Sequence, residues 1–394
     1  MTHRLDRVAL GLGLLYLLDR LWKILAVVAF FRRPPPPVPA QWPSLTLLCP
    51  MTRSPNDLRS VLIARATLAY SGQHEWLLIC DRADVATQAI CAEVIAAHPA
   101  WSARIVLVAP DQGSTMASKI AKLRTALPEA HGEILCFVDD DILLRPDALR
   151  ILVPYVMQPA TGAAFGLACY TRWQTLAESL MSGFVNTNAL LSYVPVTYLV
   201  EPFTITGHCF ALRREVFTAI GGLESMQKRI DDDHELARRV RRYGLRNVQT
   251  PLVYDVDNRL ARLRDYHLQM RRWLIIPRQT MLPHLGRRER SAMLFGSLGN
   301  LLPPLLLVLA LVTRRRVPWL SLGSSLGYVA ATQALIEHAY LGRAMPLRQA
   351  LLLPILNWLT PLYISLLSLG NNTIVWRGQR LRVQRGGTYA IIEE

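Results

Sequence analysis

The spacing of apolar and polar positions divides the chain into three parts with different rhythms. Residues 8–31 are almost continuously apolar, and Asp19, Arg20 and Lys23 interrupt them. Charges at the middle of a bilayer are costly. Two forms therefore stay open for this segment, a spanning helix with an internal Asp-Arg pair and an amphipathic helix lying at the interface. The absence of a small-residue cleavage site argues against a removable signal peptide. Pro34-Pro35-Pro36-Pro37 then predicts a stiff, extended spacer. From 44 to 160, short β-rich runs alternate with helical stretches such as Asp57 to Ala69. The runs are Leu45 to Cys49, Trp76 to Cys80, Ile105 to Val108 and Ile134 to Val138. This alternation predicts an α/β fold whose parallel sheet is flanked by helices. Regularity weakens over 161–260, where a mixed extension of the sheet is expected.

Beyond 290 the rhythm changes again, to apolar segments at 291–312, 317–340 and 350–369. Each approaches the ~20 residues that a spanning helix needs. Pro303-Pro304 lies inside the first, which predicts a kinked or re-entrant segment there. Arg314 to Arg316 separate the first two segments, Arg343 and Arg348 separate the last two, and Arg377, Arg380, Arg382 and Arg385 follow. The positive-inside tendency cannot hold for all of these groups. With residue 290 cytoplasmic, three full crossings put the tail outside, and one re-entrant segment puts it inside. The expected organisation is an N-terminal membrane helix (1–33), a proline-rich linker (34–43), an α/β domain (44–290), C-terminal transmembrane helices (291–370) and a basic tail (371–394).

Composition supports a membrane protein that carries a water-facing domain, because 394 residues exceed one ordinary domain and 51% of them are hydrophobic. The formal charge of +15 comes mainly from arginines beside apolar segments. That placement favours an anionic membrane surface over nucleic acid. The chain also has no basic stripe interleaved with aromatics, so no nucleic-acid partner is expected. Six cysteines are scattered without a Cys-x-x-Cys pair, which predicts reduced core residues facing a cytoplasmic interior.

Three acidic sites followed by Gln269-Met270-Arg271-Arg272-Trp273 carry the candidate chemistry. Their order suggests sugar-nucleotide chemistry. Asp81 and the run Asp139-Asp140-Asp141 each close an apolar run, at a strand's C-terminal edge where open α/β sheets bind ligands. A carboxylate at Asp81 can accept from a uracil N3–H, although a loop-capping role suits it too. Asp139 and Asp141 fall on one side of an extended chain, so both can reach one Mg²⁺ or Mn²⁺ that bridges a diphosphate. Asp231-Asp232-Asp233 opens a helix-like stretch; capping and the helix dipole explain one or two of these carboxylates. The third adds repulsion, and a general base facing an acceptor hydroxyl is the preferred use, with His234 a possible sharer. Arg272 and Trp273, with Gln269, suit a departing diphosphate and its nucleotide or acceptor, and Arg and Trp also anchor at lipid interfaces. Lys119 is a weaker candidate for approaching the nucleotide.

Taken together these residues resemble the GT-A glycosyltransferases of family 2 type, and more closely the ceramide glucosyltransferase family (family 21), over nearly the whole chain. Further similar segments are Leu48-Cys49-Pro50-Met51, Ser118 to Leu123, Thr206-Gly207-His208-Cys209, Met281-Leu282-Pro283, Trp376-Arg377-Gly378 and Gly386-Gly387. The family's acidic motifs fall on Asp81, Asp139 and Asp233, and its Q-x-x-R-W motif on Gln269, Arg272 and Trp273. The aspartate run at 139–141 and His234 depart from the eukaryotic pattern and look bacterial. The resemblance implies a GT-A fold, a nucleotide-diphospho-sugar transferase with a Rossmann-like mixed sheet. It also implies an inverting, metal-dependent transfer from UDP-glucose to the primary hydroxyl of ceramide. The expected partners are UDP-glucose, the lipid acceptor and the membrane, and the expected location is a bacterial inner membrane with the catalytic domain cytoplasmic. A family 2 enzyme acting on a hopanoid, diacylglycerol or polyprenyl phosphate, and a non-catalytic membrane scaffold, are the alternatives. A processive polysaccharide synthase would need more helices to wall its channel.

Overall fold

The computed structural model describes residues 2–51, 58–111, 117–227, 229–343, 345–376 and 379–392. The N-terminal apolar run forms α1 (Thr2–Phe31), and the proline spacer leads from it to β1 (Leu45–Pro50). Next come α2 (Leu58–Ala66), β2 (His74–Asp81), α3 (Val85–Ala97), β3 (Ala103–Val108), α4 (Lys119–Ala126) and β4 (Ile134–Val138). The expected helix start at Asp57 lies outside the described residues. The chain continues through β5 (Ile142–Leu143), α5 (Ala148–Val156), β6 (Thr161–Tyr170), α6 (Leu176–Asn188) and the short α7 (Val194–Val196). Then follow β7 (Cys209–Arg213), α8 (Arg214–Ala219), α9 (Asp232–Arg242), β8 (Arg246–Val256) and α10 (Leu263–Thr280).

These strands form one sheet in the order β3-β2-β1-β4-β7-β6-β8-β5. The first four are parallel, β7 runs antiparallel to β4 and β6, β8 is parallel to β6, and β5 closes the edge antiparallel to β8. The mixed extension expected over 161–260 is therefore present. Both faces of the sheet are covered, which explains why β1 and β4 read as unbroken apolar runs. Leu45, Leu47, Cys49, Ile134, Cys136 and Val138 enter one apolar layer, while Leu48, Leu135 and Phe137 enter the other. In that second layer Phe137 stacks on Phe210 with ring centroids 4.7 Å apart. All six cysteines are buried and free, in keeping with core residues.

The C-terminal segments form α11 (Arg287–Leu298), α12 (Leu302–Thr313), α13 (Arg316–Ile336) and α14 (Leu347–Leu367). A single turn, Gly299–Leu301, separates α11 from α12. Pro303 and Pro304 thus sit in the first turn of α12, where a missing N–H costs no helical hydrogen bond. Among the described residues, one helical stretch, Arg287–Thr313, is long and apolar enough to cross a membrane. The charges inside α1 turn toward this stretch. Lys23 Nζ lies 3.0 Å from Asp19 Oδ2 and donates to the Gly296 carbonyl at 2.7 Å, while Arg20 donates to Asn300 Oδ1 at 2.5 Å. Arg20 also pairs with Asp19 at 3.1 Å, so the internal Asp-Arg pair exists.

Residues expected to form only a basic tail instead fold as β9 (Thr373–Trp376), β10 (Gln379–Val383) and β11 (Tyr389–Ile391), an antiparallel sheet. Ile374, Leu381 and Val383 pack on Ile275 of α10. The arginines alternate outward from that buried face, so they hid a strand pattern behind their charge. Arg377 and Gly378 lie outside the described residues.

Candidate functional site

Sheet order brings the acidic sites together. Asp139 follows β4, and its N–H donates to the His208 carbonyl at 2.9 Å, which ties it to the residue that precedes β7. Asp231 holds the N-cap position of α9 without a side-chain capping bond, while Asp232 and Asp233 occupy its first turn, where the helix dipole favours negative charge. Gly207 lets these two regions touch: a Cβ there would lie 3.1 Å from Asp233 Oδ2. Lys119 begins α4, behind a Ser118 cap whose side chain accepts from the Ala121 N–H. Its Nζ lies 2.8 Å from Asp139 Oδ1 and 3.8 Å from Asp232 Oδ2, and it donates to the Gly207 carbonyl at 3.1 Å. One ammonium group therefore joins the segments that carry both acidic runs.

These groups line a cavity of about 820 Å³, whose wall includes Lys119, Asp139, Asp140, Asp141, Asp231, Asp232, Asp233 and His234. Gln269, Arg272 and Trp273 line the same cavity from α10, and Gln269 Oε1 accepts from Asn258 at 3.5 Å. Tyr170, at the C-terminal end of β6, joins the two sets. Burial raises its phenol, the charge of Asp141 adds to that, and Arg272 opposes it. The Trp273 ring stands edge-on to Tyr170 with centroids 6.3 Å apart.

Burial and crowding perturb the carboxylates. Asp141 is pushed up to about 7 by burial and by the charges of Asp139 and Asp140. Asp233 is also pushed up to about 7, by burial and Asp232, although the His234 N–H at 2.7 Å and Lys119 favour its ionised form. Burial raises Asp231 to about 6 against the pull of Arg229, which lies 2.9 Å away. His234 is lowered to about 4 by burial and by nearby His284 and Arg238, so its imidazole is neutral and a poor proton acceptor at pH 7. Among the described residues neither of its ring nitrogens has a hydrogen-bond partner, and the ring lies against His284 at 6.3 Å.

Asp81 is the expected site residue that does not reach the cavity wall. Its carboxylate turns inward, 2.6 Å from Lys122 Nζ and accepting from the Ala117 N–H at 2.5 Å. Two further groups belong to the site. Tyr170 ends a parallel strand, the same positional signal that singles out Asp81. His208 lines the cavity with its Nδ1 buried and, among the described residues, unpartnered. Burial lowers that imidazole, with Lys119 and Arg272 acting in the same direction and Asp139 against it.

The donor set fits a cation shared with a ligand. Asp139 and Asp141 offer two hard carboxylates on one wall, enough for Mg²⁺ or Mn²⁺ held mainly through phosphate and water. Among the described residues, no group of three or more His, Cys, Asp or Glu forms a self-sufficient metal cage.

The uncharacterized protein y4gI of Sinorhizobium fredii (strain NBRC 101917 / NGR234) is 27% identical over 138 residues, 32% of this chain; the match spans 15% of that protein's length. Among solved structures, the mannosyltransferase PcManGT of Pyrobaculum calidifontis superposes with a TM-score of 0.54 at 18% identity, covering 92% of this chain and 99% of that one. GalNAc-T7 matches with a TM-score of 0.43 at 10% identity, over 66% of this chain and 55% of its own. The Pyrobaculum structure shares the fold, the mixed GT-A sheet. The family model for Glycosyl transferase family 21 matches residues 8–389. The chain belongs to glycosyl transferase family 21.

Proposed function

We propose that this enzyme transfers glucose from UDP-glucose, with inversion, to the primary hydroxyl of ceramide in a bacterial inner membrane, with its α/β domain in the cytoplasm. The observation that carries this reading is the gathering of Asp139, Asp141, Asp233 and Arg272, from distant segments, on one cavity. The same cavity is bordered by Met293, Gly296 and Asn300 of the stretch Arg287–Thr313. An acceptor whose chains stay in a bilayer would then reach the carboxylates from that side. Full or partial insertion of α1, α13 and α14 belongs to the same proposal.

Asp233 takes the proton from the acceptor hydroxyl, and the oxygen attacks the anomeric carbon from the face opposite the diphosphate. Arg272 holds the diphosphate as its charge grows, with Gln269 and Trp273 against the donor or acceptor. Asp139 and Asp141 would hold a divalent cation, which would supply further positive charge toward the diphosphate; the Pyrobaculum mannosyltransferase was solved with GDP-Man and Mn²⁺. Lys119 brings a positive charge among these carboxylates, and we assign it to a phosphate oxygen of the donor. Asp81 is our candidate partner for the uracil N3–H, a role that requires its carboxylate to exchange the Ala117 N–H for the base.

Purified protein in detergent, supplied with labelled UDP-sugars and with ceramide, diacylglycerol, a hopanoid or polyprenyl phosphate in turn, tests the reading. Labelled glucosylceramide is the expected product. Product on another lipid alone would overturn the acceptor assignment, and transfer from UDP-galactose or UDP-glucuronate alone would overturn the donor.

A further inference from the structure

We propose that the Gly386-Gly387 turn of the C-terminal sheet positions the Asp231–Asp233 segment for transfer. The inference rests on the transfer reading above and concerns the same site. Ile230 N–H donates to the Gly387 carbonyl at 3.0 Å, and Arg229 forms an antiparallel bridge with Thr388. The turn thus adds a β-like rung to the residues that lead into Asp231. On its other side, Gly386 N–H donates to the Gln279 carbonyl at 3.0 Å, near the end of the helix that carries Arg272. One turn therefore spans the gap between the segment holding the general base and the helix holding the diphosphate-binding arginine. The sheet also borders the cavity directly, through Trp376 and Tyr389.

Glycine is required here for two separable reasons. Both residues have positive φ, +99° for Gly386 and +101° for Gly387, where any side chain is strained. Only Gly387 is also pressed against the acidic segment: a Cβ on it would lie 2.2 Å from Asp231 Oδ1 and 2.6 Å from an Arg229 guanidinium nitrogen. A Cβ on Gly386 meets nothing within 4 Å. The neighbouring glycines are therefore matched in backbone strain and differ in whether they push on Asp231. A displacement of the general base by about 1 Å can cost ~100-fold in rate.

Gly386→Ala and Gly387→Ala in the full-length, detergent-solubilised protein test this. Both variants should lose thermal stability through backbone strain, Gly387→Ala more because its methyl group also meets Asp231 and Arg229. Gly387→Ala should lower kcat by about 100-fold, with UDP affinity in Mn²⁺ changed less than about threefold, while Gly386→Ala keeps kcat within about threefold of wild type. Hydrogen exchange at the Ile230 amide should accelerate in Gly387→Ala alone, a readout that does not depend on activity. Equal kcat losses in the two variants, or unchanged Ile230 exchange in Gly387→Ala, would overturn the positioning role. Should Gly387→Ala fail to fold, adding Arg229→Ala and Asp231→Ala removes both groups that the new methyl group meets and should restore folding to the level of Gly386→Ala; no restoration also overturns it. A wild-type protein without transferase activity would sink the transfer reading, and the exchange comparison would still decide the positioning claim.

Discussion

At the scale of single residues, Asp233 is the group on which transfer depends most directly. Asp233→Asn should leave UDP binding nearly intact and lower transfer by about 10²- to 10⁴-fold, the range of a lost general base, as measured by initial rates and calorimetry on one preparation. Its carboxyl is raised to about 7, so wild-type transfer should climb as pH rises through about 7 and then level. A profile of log kcat that is flat between about pH 5 and 9 would remove Asp233 from that role. The same shift has a stability sign. A carboxyl whose folded value lies above its ordinary 3.8 stabilises the fold while protonated, and that contribution is lost as pH climbs from about 4 to about 7. Asp141 and Asp233 together should make the metal-free protein melt at lower temperature at pH 8 than at pH 5, and Mn²⁺ should recover more of the difference at the higher pH. The positions of Asp139, Asp141 and Asp233 at one cavity were legible in the sequence because each follows an apolar run or opens a helix. Tyr170 and His208 were less legible: Tyr170 carries the same strand-end signal as Asp81, but nothing local joins it or His208 to the groups on α10. Asp81 looked equivalent to Asp139 by position, and only the packing of Lys122 on its carboxylate separates them.

At the scale of elements, the charges inside α1 illustrate how a locally unfavourable pattern becomes a tertiary contact. Lys23 and Arg20 are 1% and 5% exposed at their side chains and share Asp19. Asp19→Ala would leave both cations buried without their carboxylate, and a loss of about 3–5 kcal/mol is the expected scale for breaking such a group. Thermal unfolding in detergent should show a large fall for Asp19→Ala and little change for Arg7→Ala. The strand runs were legible since burial on both faces leaves no polar alternation to misread, and Ile134 to Val138 was recovered with its ends intact. The three-stranded C-terminal sheet was hidden, because Arg380, Arg382 and Arg385 dominate a segment whose buried apolar side chains, among the described residues, are Ile374, Leu381 and Val383. Its Gly386-Gly387 pair stood out in the sequence, but the reason, a turn seated on Asp231, is visible only in three dimensions.

At the scale of the whole molecule, the C-terminal sheet bears on the membrane topology that the arginine pattern left open. Because it packs on α10, the tail lies on the same side as the α/β domain. Insertion of these helices in a bilayer, which is part of the proposal, would then require that segments 291–369 do not all cross it. Arg385→Cys and Arg150→Cys should therefore react alike with a membrane-impermeant thiol reagent, both silent in intact cells and both labelled once the membrane is opened, over a low background since the native cysteines are buried. Labelling of Arg385→Cys alone in intact cells would place the tail on the opposite side. The cavity joins the two halves of the molecule, with carboxylates and Arg272 contributed by the α/β part and Met293, Gly296 and Asn300 by the apolar stretch. Its identity as the nucleotide site is tested most directly by calorimetric titration of UDP into wild type and an Asp139→Ala, Asp141→Ala double variant, with and without Mn²⁺. Wild type should bind UDP tightly only when Mn²⁺ is present, and the double variant should lose that dependence together with most of the affinity; equal Mn²⁺-dependent binding by both proteins would contradict it.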